Sequence, residues 1–162
     1  TIACPLMIYA PGVEPAVYSG LTSAVDIMPT VLDILDQDIP DVVEGESLLP
    51  RMQDVSIAGR QYVISTQPFS KPGQITRQVD GRERKMSVES STTITTDEWA
   101  LLYSTEPGES WLYHLPTDPG QEKNVASEHP DVAKELHQHL VTFMHQYNLA
   151  PDLRDARMEL LL

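Results

Sequence analysis

Three kinds of residue in this 162-residue chain are of a type that does chemistry: one cysteine, five histidines and a group of acids at 26–38. Cys4 is a nucleophile by type, but it stands at the head of the apolar run Cys4-Pro5-Leu6-Met7-Ile8, where a small apolar filler is expected. His137, His139 and His145 fall in one helical stretch, with His129 just before it. Two metal ligands on one helix face need a spacing of four. The spacings here are two, six and eight, and positions 137 and 139 diverge by about 200°. Solvated histidines on a polar face are therefore expected. Asp26, Asp33, Asp36 and Asp38 lack the alternation, central Gly and closing Glu of a calcium loop. Asp26 is expected instead as a cap or hydrogen-bond anchor for the turn before Pro29, and Asp118-Pro119-Gly120 as a turn. Trp99, Tyr103, Trp111 and Tyr113 suit cross-strand stacking in a core, with a sugar-binding platform as the alternative. No Gly-rich phosphate loop and no Ser-His-Asp arrangement stands out. The expectation is that this chain contributes no catalytic, cofactor-binding or metal-ligating residue.

Bulk properties narrow the partners. The net charge is −13, from 24 acids against 11 bases, so nucleic acid is excluded as a natural partner. The one local basic cluster, Arg82, Arg84 and Lys85, is interrupted by Glu83 and reads as a solvated loop. Apolar residues make up 41%, enough for a core in a chain of this length. No run reaches the roughly 18 apolar residues of a membrane span. A single cysteine forbids an internal disulfide and mildly favours a reducing compartment. The chain starts without Met and without a recognisable leader, which suggests a fragment, an excised domain or a processed product.

The elements that would position these residues follow from local patterns. Residues 5–10 read as a strand buried on both faces, entering a turn at Pro11-Gly12. Thr22 or Ser23 can cap a helix in which Val25, Met28, Leu32 and Leu35 recur at helical spacing. Ile27, Val31 and Ile34 widen its apolar surface, so deep packing is expected, with Pro29 in the first turn after a 3₁₀-like entry over Val25 to Met28. Residues 36–56 read as an acidic excursion. Gln61 to Thr66 reads as a strand, and 67–84 as a long loop with a short strand at 75–79. Four strands then follow: Met86 with Val88, Thr92 to Thr96, Glu98 to Ser104, and Trp111 to Leu115 after a turn at 106–109, in an antiparallel meander. From Pro130 the period is helical, with Val132, Leu136, Leu140, Phe143 or Met144, and Tyr147 as its stripe and Asn148 as its stop. Residues 151–162 read as a short helix or a docked tail.

The fold class expected is therefore α/β, in the form of an α+β fragment. A strand and helix from the edge of a large α/β domain (residues 1–54) precede a small four-stranded antiparallel sheet packed by a C-terminal helix (residues 55–162). A strand apolar on both faces needs neighbours that this sequence hardly supplies. Left open at an edge, it would promote self-association, so a homo-oligomer is a further expectation.

Four motifs occur in order: Pro5-Leu6 with Pro11-Gly12; Val25-Asp26, Pro29-Thr30 and Leu32-Asp33; Gly45, Ser47-Leu48 and Pro50; and Leu112-Tyr113, Leu115, Asp118-Pro119, Asn124 and Ala126. In this series, and in the helix opening His129-Pro130-Asp131-Val132-Ala133-Lys134-Glu135-Leu136, the chain resembles the C-terminal portion of sulfatases of the alkaline phosphatase superfamily. The resemblance covers nearly all of the chain, least over 66–92. Four positions depart from the family's usual pattern: His114 for Asp, Gln121 for Glu, Ala100 for Lys and Asp36 for Gly.

The resemblance implies a sulfuric ester hydrolase whose reactive groups lie upstream. These would be a Cys or Ser in Cys/Ser-x-Pro-x-Arg matured to formylglycine, a calcium ion held by carboxylates and an amide, and Lys and His residues around the ester. Cys4 lacks both the Pro and the Arg of that motif. The resemblance further implies that the partners are the rest of the parent domain and its sulfate ester. The compartment is left unknown by the sequence, with a soluble protein of a bacterial cytoplasm or periplasm as the expectation. Two rival readings stand beside it: the C-terminal part of a phosphonate or phosphate ester hydrolase of the same superfamily, and a free-standing interaction module without catalysis.

Overall fold

The apolar run from Val25 to Leu35 is helical, as its period requires. In the computed structural model a 3₁₀ turn at Ala24–Asp26 leads into α1 (Ile27–Ile34). Pro29 sits in the first turn of α1, where its missing N–H breaks no bond. Residues 5–66, 77–79, 82–84 and 92–162 are described, 77–79 and 82–84 as backbone alone. They fall into two compact units, Ile2–Val63 and Ile64–Leu162.

In the first unit α1 ends in a Schellman motif. The Gln37 N–H donates to the Leu32 carbonyl (2.9 Å) and the Asp36 N–H to that of Asp33 (3.1 Å), while Asp36 takes φ 52°. Asp36 thus fills a left-handed position that glycine usually occupies, at the strain cost a short polar side chain tolerates. A second, short helix, α2 (Leu49–Gln53), interrupts the excursion of 36–56. Two expectations fail here. Residues 5–10 belong to no strand, and Met7 and Tyr9 are 94% and 90% exposed. A strand exists only through its ladder partners, and the described residues supply none for them. Nor is α1 deeply packed: Ile27, Met28, Val31 and Leu35 are exposed, and its buried residues are Pro29 and Thr30.

The second unit carries a four-stranded antiparallel sheet. It contains β1 (Val63–Ser65, whose first residue belongs to the other unit), β4 (Thr92–Thr95), β5 (Trp99–Tyr103) and β6 (Trp111–His114), in the order β1-β4-β5-β6. Between β1 and β4 in sequence, β2 (Arg77–Val79) and β3 (Arg82–Arg84) pair as a separate antiparallel ribbon, with Val79 opposite Arg82. Its first strand falls within the short strand expected at 75–79, and its second lies in the stretch expected as loop; the rest of 67–84 lies outside the described residues. The strand expected at Met86 and Val88 lies outside the described residues, as does Lys85, and β1 takes the outer place in the sheet. Register sets Ile94 opposite Leu101, and Leu101 opposite Leu112. All three are fully buried. The turn between β5 and β6 holds Gly108 at φ 78° and is closed by the Ser104 N–H donating to Ser110 Oγ (3.2 Å).

Helix α3 (Pro130–Gln146) packs on β4 and β5 through Ala133, Leu136, Leu140 and Met144. The stripe is centred slightly off the expected one, since Val132 and Phe143 are half-buried and Tyr147 is exposed. The helix ends as expected at Asn148. That residue adopts φ 49°, and the Leu149 N–H reaches the Met144 carbonyl at 2.9 Å. The tail forms α4 (Pro151–Arg154) and a 3₁₀ turn at Asp155–Arg157. Tyr103 Oη donates to the Glu159 carbonyl at 3.1 Å, fastening it to the sheet. No described helix is long and apolar enough to cross a membrane.

Candidate functional site

The densest polar arrangement in the first unit is built on Asp26, which is 1% exposed. Its 3₁₀ turn aims the carboxylate at two distant pieces of chain. Oδ2 accepts from the Ser23 N–H (2.8 Å) and from Arg60 Nε (3.1 Å). Oδ1 accepts from the Glu46 N–H (2.9 Å) and from Arg60 Nη2. Burial pushes the Asp26 carboxyl up, but these donors and the Arg60 charge outweigh it and hold it below the usual carboxylate range. One turn on, Thr30 Oγ1 donates to the Asp26 carbonyl and accepts from the Leu48 N–H (2.8 Å). Ser47 Oγ donates to Asp33. Gly45 lies so close to the Val25 carbonyl that a Cβ there would overlap it.

Asp26, Thr30, Asp33, Gly45, Ser47 and Leu48 come from two separate sequence motifs and converge on one clip that ties α1 to the 45–48 segment. The expectation that Asp26 anchors the turn is met and exceeded. Its partner Arg60 has no signal in the sequence beyond being a rare base in an acidic stretch. Every carboxylate oxygen in the clip with a named role accepts from an N–H or hydroxyl. The clip fixes backbone geometry.

In the second unit an open cleft of about 500 Å³ is lined by Trp99, His114, Thr117, Asp118, Lys123 and His129, among others. Trp99 and His114 are cross-strand partners, with ring centroids 4.5 Å apart, and His129 approaches Trp99 from the start of α3 at 5.0 Å. His114 Nδ1 lies 2.8 Å from Thr117 Oγ1. Asp118 accepts from the N–H groups of Glu122 (2.9 Å) and Lys123 (3.0 Å), which hold its carboxyl below the usual range. It is a turn anchor, as expected. Asn124, unremarked as a structural residue in the sequence, covers the free edge of β6: its Oδ1 accepts from the N–H groups of Leu112 and Ala126, both at 3.0 Å.

The histidines divide. His145 is exposed and His139 half-buried, but His137 is 6% exposed, which corrects the expectation of a solvated face. Its ring stacks on Tyr103 at 4.9 Å, and Nε2–H donates to the Arg157 carbonyl at 3.0 Å. Burial pushes its pKa down, against that hydrogen bond. The sequence signal was present: position 137 follows Leu136 on the stripe running to Leu140 and Met144. Of the four aromatics, Tyr103 and Tyr113 are buried, Trp99 is half-buried and Trp111 is 41% exposed. They form no continuous exposed platform. Cys4 lies outside the described residues. Among the described residues no three His, Cys, Asp or Glu side chains are grouped to hold a metal ion.

No protein-family model matches the chain. Individual proteins do. It is 28% identical over 157 residues to arylsulfatase K of Bos taurus, a match covering 89% of this chain and 27% of that protein. It is 29% identical over 143 residues to the uncharacterized sulfatase YdeN of Escherichia coli, covering 76% of this chain and 25% of YdeN. Among solved structures, the phosphonate monoester hydrolase of Silicibacter pomeroyi superposes with a TM-score of 0.64 at 24% identity, over 85% of this chain and 28% of that one. The last likeness carries the fold alone. The chain thus spans about a quarter of the length of the relatives it matches. Two of its ordered motifs converge on one clip, its fold is that of the solved hydrolase, and over most of its length it is similar to sulfatases, as a sulfatase-like C-terminal portion would be.

Proposed function

We propose that this chain is the C-terminal scaffold of a sulfatase-like hydrolase, which in its complete form cleaves sulfuric esters. The observation that supports this most directly is the clip. The motif residues that carry the likeness are spent on each other's hydrogen bonds, so their role is to hold α1 and the 45–48 segment in place. Residues 1–54 are the remnant of the α/β domain, and 55–162 form a small subdomain at the substrate rim. On this reading the reactive groups and the calcium ion of the complete protein come from outside this chain. The described residues offer no grouped ligands, and the clip carboxylates already accept from protein donors.

A phosphonate ester substrate is the second reading, since a phosphonate monoester hydrolase shares this fold. Both are tested by assaying the 162-residue chain and the product of its complete coding region on an aryl sulfate and an aryl phosphonate. The expected result is turnover of the sulfate by the longer protein alone. Preference for the phosphonate would select the second reading. Turnover by the 162 residues alone would end both.

A further inference from the structure

Strand register and one helix start gather three rings around a single cleft. Trp99 on β5 stands opposite His114 on β6, with ring centroids 4.5 Å apart. His129, the residue before α3, brings its imidazole to 5.0 Å from the same indole. The two imidazoles are inclined to the indole by 50° and 56°. They meet it as angled walls and not as a parallel stack. Thr117 Oγ1, 2.8 Å from Nδ1, holds His114 in this pose. Trp99 and His114 are half-buried and His129 is exposed, so solvent reaches all three. The cleft they line measures about 500 Å³, a volume in the range of small-molecule sites.

The charges on the cleft select the sign of its ligand. Its lining carries three carboxylates, Asp118, Glu122 and Glu128, against the one ammonium of Lys123. Lys123 is tied to Glu128 at 2.8 Å, and Asp118 already accepts from two backbone N–H groups. The Glu122 carboxylate has no ion-pair partner among the described residues. The positive end of α3 opens beside His129, and Asp131 in its first turn offsets it. An anion entering here meets net repulsion in a chain of charge −13. A cation meets ring faces with an unpaired carboxylate beside them.

We propose that this cleft binds an alkylated ammonium group, with Trp99, His114 and His129 as an aromatic cage and Glu122 as the counter-charge. A metal ion needs grouped lone pairs, which the described residues do not offer. An alkylated ammonium needs ring faces instead, and its charge, spread over methyl groups, leaves water at little cost. His114 stands where the sulfatase pattern usually has Asp, so one wall of the cage is a feature of this chain and not of that pattern. Such a site neither requires nor excludes ester cleavage.

The test titrates tetramethylammonium chloride into the 162-residue chain at constant ionic strength, followed by NMR of the tryptophan indole N–H groups. Trp111, outside the cleft lining, is the internal reference. The Trp99 signal should move saturably while that of Trp111 stays. The neutral isostere tert-butanol should bind about tenfold more weakly. Glu122→Gln should weaken the ammonium about threefold. His114→Asp separates a cage from plain charge attraction, because it removes a ring and adds a carboxylate. A cage loses about fivefold in affinity, whereas a diffuse counter-ion site gains. Tighter binding after His114→Asp therefore overturns the proposal. Equal binding of tert-butanol overturns it too, since the cleft would then be merely apolar. Tighter binding of sulfate would assign the cleft to an anion. A Trp99 signal that stays in place throughout the titration overturns the proposal as well.

Discussion

In residues 64–162 the fully buried large side chains are Ile94, Leu101, Tyr103, Leu112, Leu140 and Met144, with Thr92; in residues 2–63 they are Asp26, Pro29 and Thr30. The surfaces are reversed in the same way. Of the seventeen exposed large apolar side chains among the described residues, thirteen lie between Leu6 and Ile57 and four between Trp111 and Leu162. The later unit is organised as a protein that stands alone: a sheet face, a helix stripe and a tail pinned over them. The earlier unit has its geometry set by a buried carboxylate and its donors, while most of its large apolar side chains are exposed. A polar clip specifies position without supplying much burial, and burial is the dominant favourable term in folding.

That contrast is breakable, beginning where the effect is largest. Leu140→Ala should destabilise the 64–162 unit by about 4 kcal/mol, since a fully buried leucine leaves a cavity in a closed core. Chemical denaturation followed by Trp99 and Trp111 fluorescence measures it, and a loss under about 1 kcal/mol would mean that the core is not closed. In the 2–63 unit Arg60→Ala should cost about 3 kcal/mol, because Asp26 keeps its charge and loses its cation. Hydrogen exchange at the Ser23 and Glu46 amides is the readout. Unchanged protection there would show that the clip does not organise its unit.

Acid should take the two units apart in sequence. His137 has a folded-state pKa below the ordinary 6.5, so the unfolded chain binds its proton first. The stability it allows is complete above pH 6.5 and is lost as the pH falls through and below that value. Asp26 is also depressed, as a carboxylate. Its contribution is complete above 3.8 and lost only as the pH falls from there toward its lower folded value. Tail amides near Arg157 should therefore lose protection at mildly acidic pH, while the Ser23 and Glu46 amides hold. Simultaneous loss would contradict the assignment. The smallest effect is the sharpest contrast. Met28→Gln, a change at a side chain 58% exposed, should alter the stability of the 162-residue chain by no more than about 0.5 kcal/mol. A larger loss, seen by thermal denaturation, would place Met28 in a core.

Much of the second unit was legible because its signals are local. Pro130 opens α3, Asn148 stops it, and alternation around Leu101 and Leu112 marks the strands. The β2–β3 ribbon was legible in part as the short strand expected at 75–79, and its return strand is signalled too: Val79 and Arg82 pair across two residues, Asp80-Gly81, a dipeptide that favours tight hairpins. Asp26 announced itself as an anchor, but the partner thirty-four residues away did not. His137 was misread because a histidine's polarity was weighed above its place on the stripe. Nothing local revealed that Asn124 would seal the edge of β6.

Sequence alone determined where the two longest helices form and stop, and which motifs the chain shares in order with sulfatases. Those properties depend on backbone preferences and on residues three or four positions apart. Tertiary structure alone decided which side of α1 is engaged. Its apolar residues cover most of the circumference, so the period could not choose a face. The choice was made by Thr30 and Asp33 meeting Leu48 and Ser47. Buried hydrogen-bonding groups must find partners, whereas an apolar stripe can wait for a surface that another piece of chain provides.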